Sequence, residues 1–467
     1  MSAAEPAWLD LTTASELIAR RELTATELVE FMLARIERLN PKLNAYVTVL
    51  VEAARAQASA ADAELAQGRW RGPLHGVTLA VKDVIHVAGA PTTGGSRTLD
   101  RSMASQDATC IARLRAAGAI VLGKLHTHEL AGGATSENEL YGRARNPWNT
   151  DYIPGGSSGG SAVATAAGLV HGALGTDTGG SVRMPAAFCG VAGLKGTFGR
   201  VSRSGVLTRS WTMDHVGSLG RRVRDAALLF QEIAGHDPAD PYSSRRKVPN
   251  VMEGLNGDIR GVRAGVLRGA FFESQLDPQI GAAFERAIQT LESLGVKTKA
   301  ITFELAAASH AAGTIITIAE AASTQDEVIR TKPEDFGADL RGQFQMAEFV
   351  SARQYLRALR IRVLVQQELG RMLREVDVLL TPTTSALPTR SDGKTTPESL
   401  MLFARNTRPF SMPGLPAVSV PAGFSVEGLP IGLQIIGRPF DDATILRVGH
   451  AYELATQWHT MKPPLSE

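Results

Sequence analysis

From about residue 76 onward the chain alternates short β-branched runs with helical patterns, and this alternation constrains the fold more than any other feature. Strand-like runs at 77–81 and 119–122 flank a helical pattern at 108–117, and a further run at 262–267 leads into another helix at 278–294. Strands that alternate with helices are typical of βαβ units, in which the helices cover a largely parallel sheet. The first 70 residues carry helical patterns only. We therefore predict an α/β fold with a helical N-terminal layer.

Other patterns predict where individual elements begin and end. A helical face that includes Leu28 and Leu39 is predicted to end at Asn40-Pro41, because proline interrupts a helix. One long helix is predicted over residues 347–375. The remaining predicted elements are helices at 162–170 and 442–454 and strands at 376–380, 417–421 and 430–436.

The bulk properties of the chain argue against several classes of protein. Of its 467 residues 44% are hydrophobic and 21% are charged, and the net charge of +2 gives no reason to expect nucleic acid or an anionic membrane as a partner. The two cysteines, Cys110 and Cys189, are too few for a disulfide framework. The N-terminus shows no secretory pattern, and no window holds 18 consecutive apolar residues. These properties predict a soluble, cytoplasmic protein.

Two glycine-rich segments contain the residues that most strongly indicate chemistry. Residues 154–161 read PGGSSGGS, and residues 175–183 read GTDTGGSVR. Such composition is also typical of flexible linkers, but the first segment lies between Tyr152-Ile153 and an apolar helical pattern, where glycines form a tight turn. Serine becomes a nucleophile only when a base takes its proton, and glycine lets backbone amides approach a carbonyl closely. We therefore interpret the two segments as a site of covalent catalysis by serine.

The region from Asn146-Pro147-Trp148 to Gly193-Leu194-Lys195 resembles the signature region of the amidase signature family. The run that ends at Lys82 resembles the lysine strand of that family, and residues 415–421 and 429–437 resemble its closing strands. Lys82, Ser157 and Ser181 follow one another at separations of 75 and 24 residues, which match the family. The resemblance implies an α/β/α sandwich around a large, mixed, twisted β-sheet. It also implies one amidase domain over 1–467, in three parts: a helical N-terminal layer (1–70), a catalytic core (71–235), and the rest of the sheet with the pocket helices (236–467).

The resemblance implies a role for each of three side chains. Ser181 is expected to be the nucleophile, Ser157 the proton relay and Lys82 the base. A lysine acts as a base only when it is neutral, so Lys82 must be buried enough to lower its pKa. Lys82 would then take a proton from Ser157, which takes one from Ser181.

The resemblance also implies the surroundings of the nucleophile. An oxyanion hole is expected from the backbone amides of Thr178, Gly179, Gly180 and Ser181, since side chains at the two glycines would block the carbonyl oxygen. A cis peptide bond is expected between Gly156 and Ser157. The supporting residues implied by the resemblance are Asp177, Arg183 and Ser158, where Asp177 and Arg183 form an ion pair that is as easily structural as catalytic.

Three other patterns are weaker. Residues 118–124 have the spacing of a phosphate-binding loop, but Leu125 replaces the required Ser or Thr and the interior reads as a strand. The sequence His126-Thr127-His128-Glu129 has no further ligands spaced to complete a metal site. The nucleophile elbow of an α/β-hydrolase triad is missing. No metal and no cofactor are predicted.

The substrate is inferred from the parts of the chain that depart from the family. Gly132 and Gly133 stand where many members have Met-Gly, and with Ile153 they are predicted to line the substrate pocket. Residues 305–324 and 400–412 carry few carboxylates, which predicts a neutral apolar or aromatic substrate.

The glutaminase component of the tRNA-dependent amidotransferase is the alternative within the family. That component binds glutamine through an arginine on the long helix, which Arg362 could match, and through an aspartate that residues 404–408 lack. We therefore predict a free-standing amidase for neutral aryl or alkyl amides, with carbamates (urethanes) and esters as further substrates. It would act on a small molecule as a monomer or homodimer, without nucleic acid or membrane. A catalytically silent scaffold protein is a remote alternative, because all three catalytic residues are present.

Overall fold

Eleven strands form one mixed β-sheet that runs through the whole chain. The computed structural model describes residues 5–391 and 395–465, with the backbone alone of Pro397. Within these residues the strand order is β1-β3-β2-β6-β8-β7-β12-β13-β11-β9-β10, and β4 and β5 form a separate hairpin. The strands are β1 Tyr46–Val49, β2 Thr78–Lys82, β3 Ile120–Leu125, β4 Glu137–Asn138, β5 Gly142–Arg143, β6 Gly172–Asp177, β7 Ala192–Lys195, β8 His215–Gly220, β9 Arg263–Arg268, β10 Lys297–Thr302, β11 Val378–Pro382, β12 Ala417–Phe424 and β13 Pro430–Gly437.

Sixteen α-helices of the described residues pack around this sheet and complete the predicted α/β/α sandwich. The N-terminal layer consists of α1 to α3, and α3 packs against β3. No described helix combines the length and the hydropathy needed to cross a membrane. The helices are α1 Leu11–Ala19, α2 Ala25–Leu43, α3 Val51–Ala66, α4 Thr109–Ala116, α5 Gly159–Ala166, α6 Arg183–Cys189, α7 Val223–Ile233, α8 Ala270–Glu273, α9 Pro278–Ser293, α10 Ala306–Thr324, α11 Asp326–Thr331, α12 Ala338–Ala347, α13 Ala352–Glu375, α14 Pro397–Arg405, α15 Arg408–Ser411 and α16 Asp442–Leu454.

The centre of the sheet brings the two chemically interesting regions together. Strand β2 pairs in parallel with both β3 and β6, and all residues of β2 and β6 are buried. Because the carboxyl ends of neighbouring parallel strands meet at one edge of a sheet, Lys82 at the end of β2 and Asp177 at the end of β6 lie at the same edge. The predicted phosphate-loop lookalike at 118–124 lies largely within strand β3.

Two predicted helix boundaries are wrong. Helix α2 passes through Pro41 and ends at Leu43, where Asn44 adopts a left-handed conformation (φ 50°). A proline in the last turn removes only one hydrogen bond, so the helix continues to this residue. The predicted helix over 347–375 is divided, because the Ser351 side chain accepts from the Gln354 amide in a capping box that begins α13 anew.

Candidate active site

Lys82 is completely buried at the end of β2 and holds the loop that precedes α5. Its Nζ atom donates hydrogen bonds to Ser157 Oγ at 2.7 Å and to Thr176 Oγ1 at 2.8 Å. Burial lowers the pKa of the Lys82 ammonium to about 7, although Asp214 and Asp177 act in the opposite direction. A large share of Lys82 is therefore neutral near pH 7, which is the form that can accept a proton.

Ser157 lies between the lysine and the predicted nucleophile. The Gly156–Ser157 peptide bond is cis, which confirms that prediction. The Ser157 hydroxyl is bonded to Lys82 and not to the Ser181 hydroxyl in this structure. Catalytic hydrogen bonds often shorten only when substrate is bound, so the roles of the two serines stay predictions that this geometry supports.

Ser158 joins the two glycine-rich segments. Its amide donates to the Ser181 carbonyl at 3.2 Å, and its hydroxyl donates to the Thr176 carbonyl at 3.1 Å. The Thr176 amide donates back to the Ser158 hydroxyl at 3.2 Å. Thr176 therefore contacts both Lys82 and Ser158. Sequence reasoning assigned it no role, although it lies within the glycine-rich segment 175–183.

The nucleophile loop presents three backbone amides, not the four that were predicted. The Gly180 amide donates to Asp177 Oδ1 at 2.8 Å, so it is not directed at a substrate oxygen. The amides of Thr178, Gly179 and Ser181 donate to no acceptor within the described chain. Gly180 has φ 135°, and a Cβ atom there would lie 2.2 Å from Thr407 Oγ1. The Thr407 hydroxyl in turn donates to the Gly179 carbonyl at 2.7 Å and so packs against the loop.

The predicted ion pair between Asp177 and Arg183 supports this loop from below. Both side chains are fully buried, with Arg183 Nε donating to Oδ2 at 3.0 Å and Nη2 to Oδ1 at 2.9 Å. Burial raises the pKa of the Asp177 carboxyl, but the Arg183 guanidinium outweighs that effect and holds the pKa well below its usual range. Arg183 Nη1 also donates to Gln434 Oε1 at 2.6 Å, which ties the loop to β13.

We expect Arg183→Met to lower the free energy of unfolding by about 3–5 kcal/mol, because it leaves the Asp177 carboxylate buried without its partner. Urea unfolding followed by far-UV circular dichroism measures this loss. The matched control is Arg183→Met combined with Asp177→Asn, which removes the unpaired charge and should recover part of the loss. An Arg183→Met unfolding curve that overlaps that of the unchanged chain would contradict the assignment.

A cavity of about 360 Å³ opens in front of Ser181. Gly132 and Gly133 line it, as predicted, but they do not widen it. A Cβ atom at Gly133 would lie 2.2 Å from the His128 ring, and one at Gly132 would lie 2.8 Å from Arg209 Nη1. These glycines therefore make room for His128 and Arg209. The prediction for Ile153 is wrong, because Ile153 is fully buried in an apolar cluster and does not reach the cavity.

The cavity carries charges that the composition of residues 305–324 and 400–412 did not reveal. Arg209, Arg408 and Asp339 all line it, together with apolar side chains such as Met184 and Leu400. Asp339 Oδ2 pairs with His128 Nε2 at 3.0 Å. The prediction of a neutral, apolar pocket is therefore wrong, since the charged groups come from distant segments that meet only in the fold.

Arg362, the predicted match for a glutamine-binding arginine, does not line this cavity. Its Nη2 atom donates to Thr212 Oγ1 at 3.0 Å, and the nearby Glu320 accepts hydrogen bonds from Thr212 and Tyr355. The long helix α13 therefore directs Arg362 into a separate polar cluster.

Comparison with known proteins places these observations in context. The sequence profile of the family described as Amidase matches residues 27–446. The A-type component of glutamyl-tRNA(Gln) amidotransferase from Chloroflexus aggregans is 40% identical, and the match covers 98% of this chain and 99% of that protein. The solved structure of the A-type component of the same enzyme from Thermotoga maritima is 32% identical, with a TM-score of 0.84 over 97% of this chain and 96% of that one.

A further solved structure is described as a vestigial protein complex that reveals the origins of an s-triazine catabolic enzyme. It is 35% identical, with a TM-score of 0.91 over 95% of this chain and 98% of that chain. The amidotransferase relatives overturn the prediction of a free-standing amidase that acts on neutral amides and esters. They overturn equally the prediction of a small molecule as sole partner, because one component of an enzyme named for a tRNA substrate works with other components. The comparison favours the alternative, an A-type amidotransferase component.

Proposed function

The chain belongs to the amidase family, and from this membership we propose that it is the amide-hydrolysing component of an amidotransferase. It releases ammonia from the side-chain amide of glutamine, and a partner protein uses that ammonia on glutamyl-tRNA(Gln). The observation that carries the proposal is the 40% identity over 98% of the chain to relatives named as the A-type component of such an enzyme.

The geometry around Lys82 supports the chemistry of this proposal. Neutral Lys82 accepts the Ser157 proton across 2.7 Å, Ser157 accepts the Ser181 proton, and Ser181 Oγ attacks the amide carbon. The amides of Thr178, Gly179 and Ser181 stabilise the negative oxygen, each contributing about 3 kcal/mol or more. Ser157 then donates its proton to the departing nitrogen, ammonia leaves, and water hydrolyses the acyl-enzyme ester to glutamate.

The charged groups of the cavity support a zwitterionic substrate. Arg209 and Arg408 supply positive charge for the α-carboxylate of glutamine, and Asp339 supplies negative charge for its α-ammonium. A neutral amide would leave these buried charges without partners, which costs binding free energy. This set of charges replaces the arginine and aspartate expected from the long helix and from residues 404–408.

We expect the purified chain to hydrolyse glutamine with a kcat/KM about 100-fold above that for butyramide, because glutamine gains charged hydrogen bonds in the cavity. Ammonia release measures both rates, with the Ser181→Ala variant as the blank. Affinity purification of the tagged chain from its own organism should recover a partner that converts glutamyl-tRNA(Gln) to glutaminyl-tRNA(Gln) when glutamine is supplied. Faster hydrolysis of butyramide, together with recovery of the chain alone, would refute the proposal.

A further inference from the structure

Arg408 lies directly against the nucleophile loop, in a space that two glycines leave open. A Cβ atom at Gly179 would lie 3.0 Å from Arg408 Nε and 3.4 Å from Nη2. On the other side, a Cβ atom at Gly313 of α10 would lie 3.1 Å from Arg408 Cγ. The guanidinium is therefore held between the loop that carries Ser181 and the helix that forms a wall of the cavity.

One edge of this guanidinium has no partner within the described residues. Nη1 donates to Thr314 Oγ1 at 2.8 Å, which fixes the orientation of the group. Nε is buried and makes no hydrogen bond, and no hydrogen bond or ion pair of Nη2 occurs in the described chain. The unpartnered edge, formed by Nε and Nη2, is the edge nearest Gly179.

The same edge of other arginines in this protein binds carboxylates. Arg183 contacts Asp177 through Nε and Nη2, and Arg55 contacts Glu30 in the same way at 2.7 and 3.0 Å. Two parallel N–H groups match the two oxygens of a carboxylate. Arg408 therefore presents, beside the predicted oxyanion amides, a fork whose ordinary partner is a carboxylate.

Neighbouring groups in the cavity leave this positive charge unneutralised. Arg209 also lines the cavity and donates through Nη2 to Gln343 Oε1 at 2.8 Å, so it offers no negative charge to Arg408. Asp339 is paired with His128. Burial, followed by repulsion from Arg209, lowers the pKa of Arg408 to about 10, which still leaves the group cationic at pH 7.

We infer that Arg408 is the residue that selects the substrate, by binding a carboxylate located a few bonds from the scissile amide through Nε and Nη2. The substrate class is the ω-amides of dicarboxylic acids, of which glutamine is an α-amino member. The inference rests on the proposed function for the amide chemistry alone. Its failure is separable, because it concerns the carboxylate and not the amino group or the tRNA.

The test compares two amides of equal length, succinamate and butyramide, which differ in a carboxylate against a methyl group. Arg408→Met should lower kcat/KM for succinamate by about 100-fold and that for butyramide by less than about threefold, since only the former loses a charged, bidentate contact. Arg408→Lys keeps the charge without the fork and should recover only part of the activity. Where turnover is slow, the dissociation constants of the two amides in the Ser181→Ala background give the same comparison.

Arg405→Met is the matched control, because Arg405 is directed at the Phe271 carbonyl and Gln275. It should change both rates by less than about twofold, and near-UV circular dichroism checks that each variant is folded. Equal losses for succinamate and butyramide in folded Arg408→Met, or no loss for either, would overturn the inference. If succinamate depends on Arg408 while glutamine is not hydrolysed, the inference stands and the glutamine proposal fails.

Discussion

Replacement of Ser181 by alanine should lower the rate of amide hydrolysis by about 10⁴–10⁶-fold, because no acyl-enzyme can form without its hydroxyl. Ser181 lies on the loop whose amides at Thr178 and Gly179 have no protein acceptor within the described residues. The other hydroxyl of this loop, on Thr178, donates to Asp214 Oδ1 at 2.6 Å. A serine-directed sulfonyl fluoride should add to Ser181 and inactivate the enzyme, and peptide mass spectrometry locates the label.

Ser161→Ala is the control for this prediction. Ser161 lies in the same glycine-rich segment as Ser157, but its hydroxyl is fully buried and donates to the Leu174 carbonyl at 3.0 Å. Its loss should affect stability by about 1 kcal/mol and leave the turnover nearly unchanged. Label on Ser157 or Ser161, or a Ser181→Ala variant with more than about a hundredth of the activity, would contradict the role assigned to Ser181.

Replacement of Lys82 by methionine should be nearly as damaging and should also change the dependence on pH. The base acts only when neutral, and burial lowers the pKa of Lys82 to about 7. Below that pH Lys82 is protonated and cannot accept the Ser157 proton, so kcat/KM should rise with pH, roughly tenfold per unit, and become constant above about pH 7. Lys82→Met should lower the rate and remove this ascending limb, and Lys82→Arg should not restore it, because arginine stays protonated.

Lys195 supplies a demanding control for the pH profile. It is also completely buried, and burial lowers the pKa of its ammonium to about 7 as well. Its Nζ atom, however, donates to the Leu415 carbonyl and lies 3.4 Å from His215 Nε2, away from both serines. Lys195→Met should therefore keep the ascending limb. Loss of that limb in Lys195→Met and its retention in Lys82→Met would refute the assignment of the base.

The sequence by itself determined the position of the chemical centre. Lys82 ends an apolar run and the two serines lie in short glycine-rich segments, so each could be recognised from its immediate neighbours. The strand that ends at Lys82 pairs in parallel with β6, and this pairing brings the segments together as the alternating pattern implies. Local signals also placed most elements within a few residues, because burial on both faces of a central strand leaves a continuous apolar run.

Only the tertiary structure decided what surrounds Ser181. Arg209, Arg408 and Asp339 come from three segments more than 60 residues apart, and no local pattern marks a side chain that faces a cavity instead of solvent. The same limit explains the errors. The Gly180 amide is occupied by Asp177, Ile153 packs into an apolar cluster, and Arg362 bonds to Thr212. Counting residue types in a segment predicts its average polarity, whereas the substrate site depends on which few side chains the packing of distant elements turns toward one cavity.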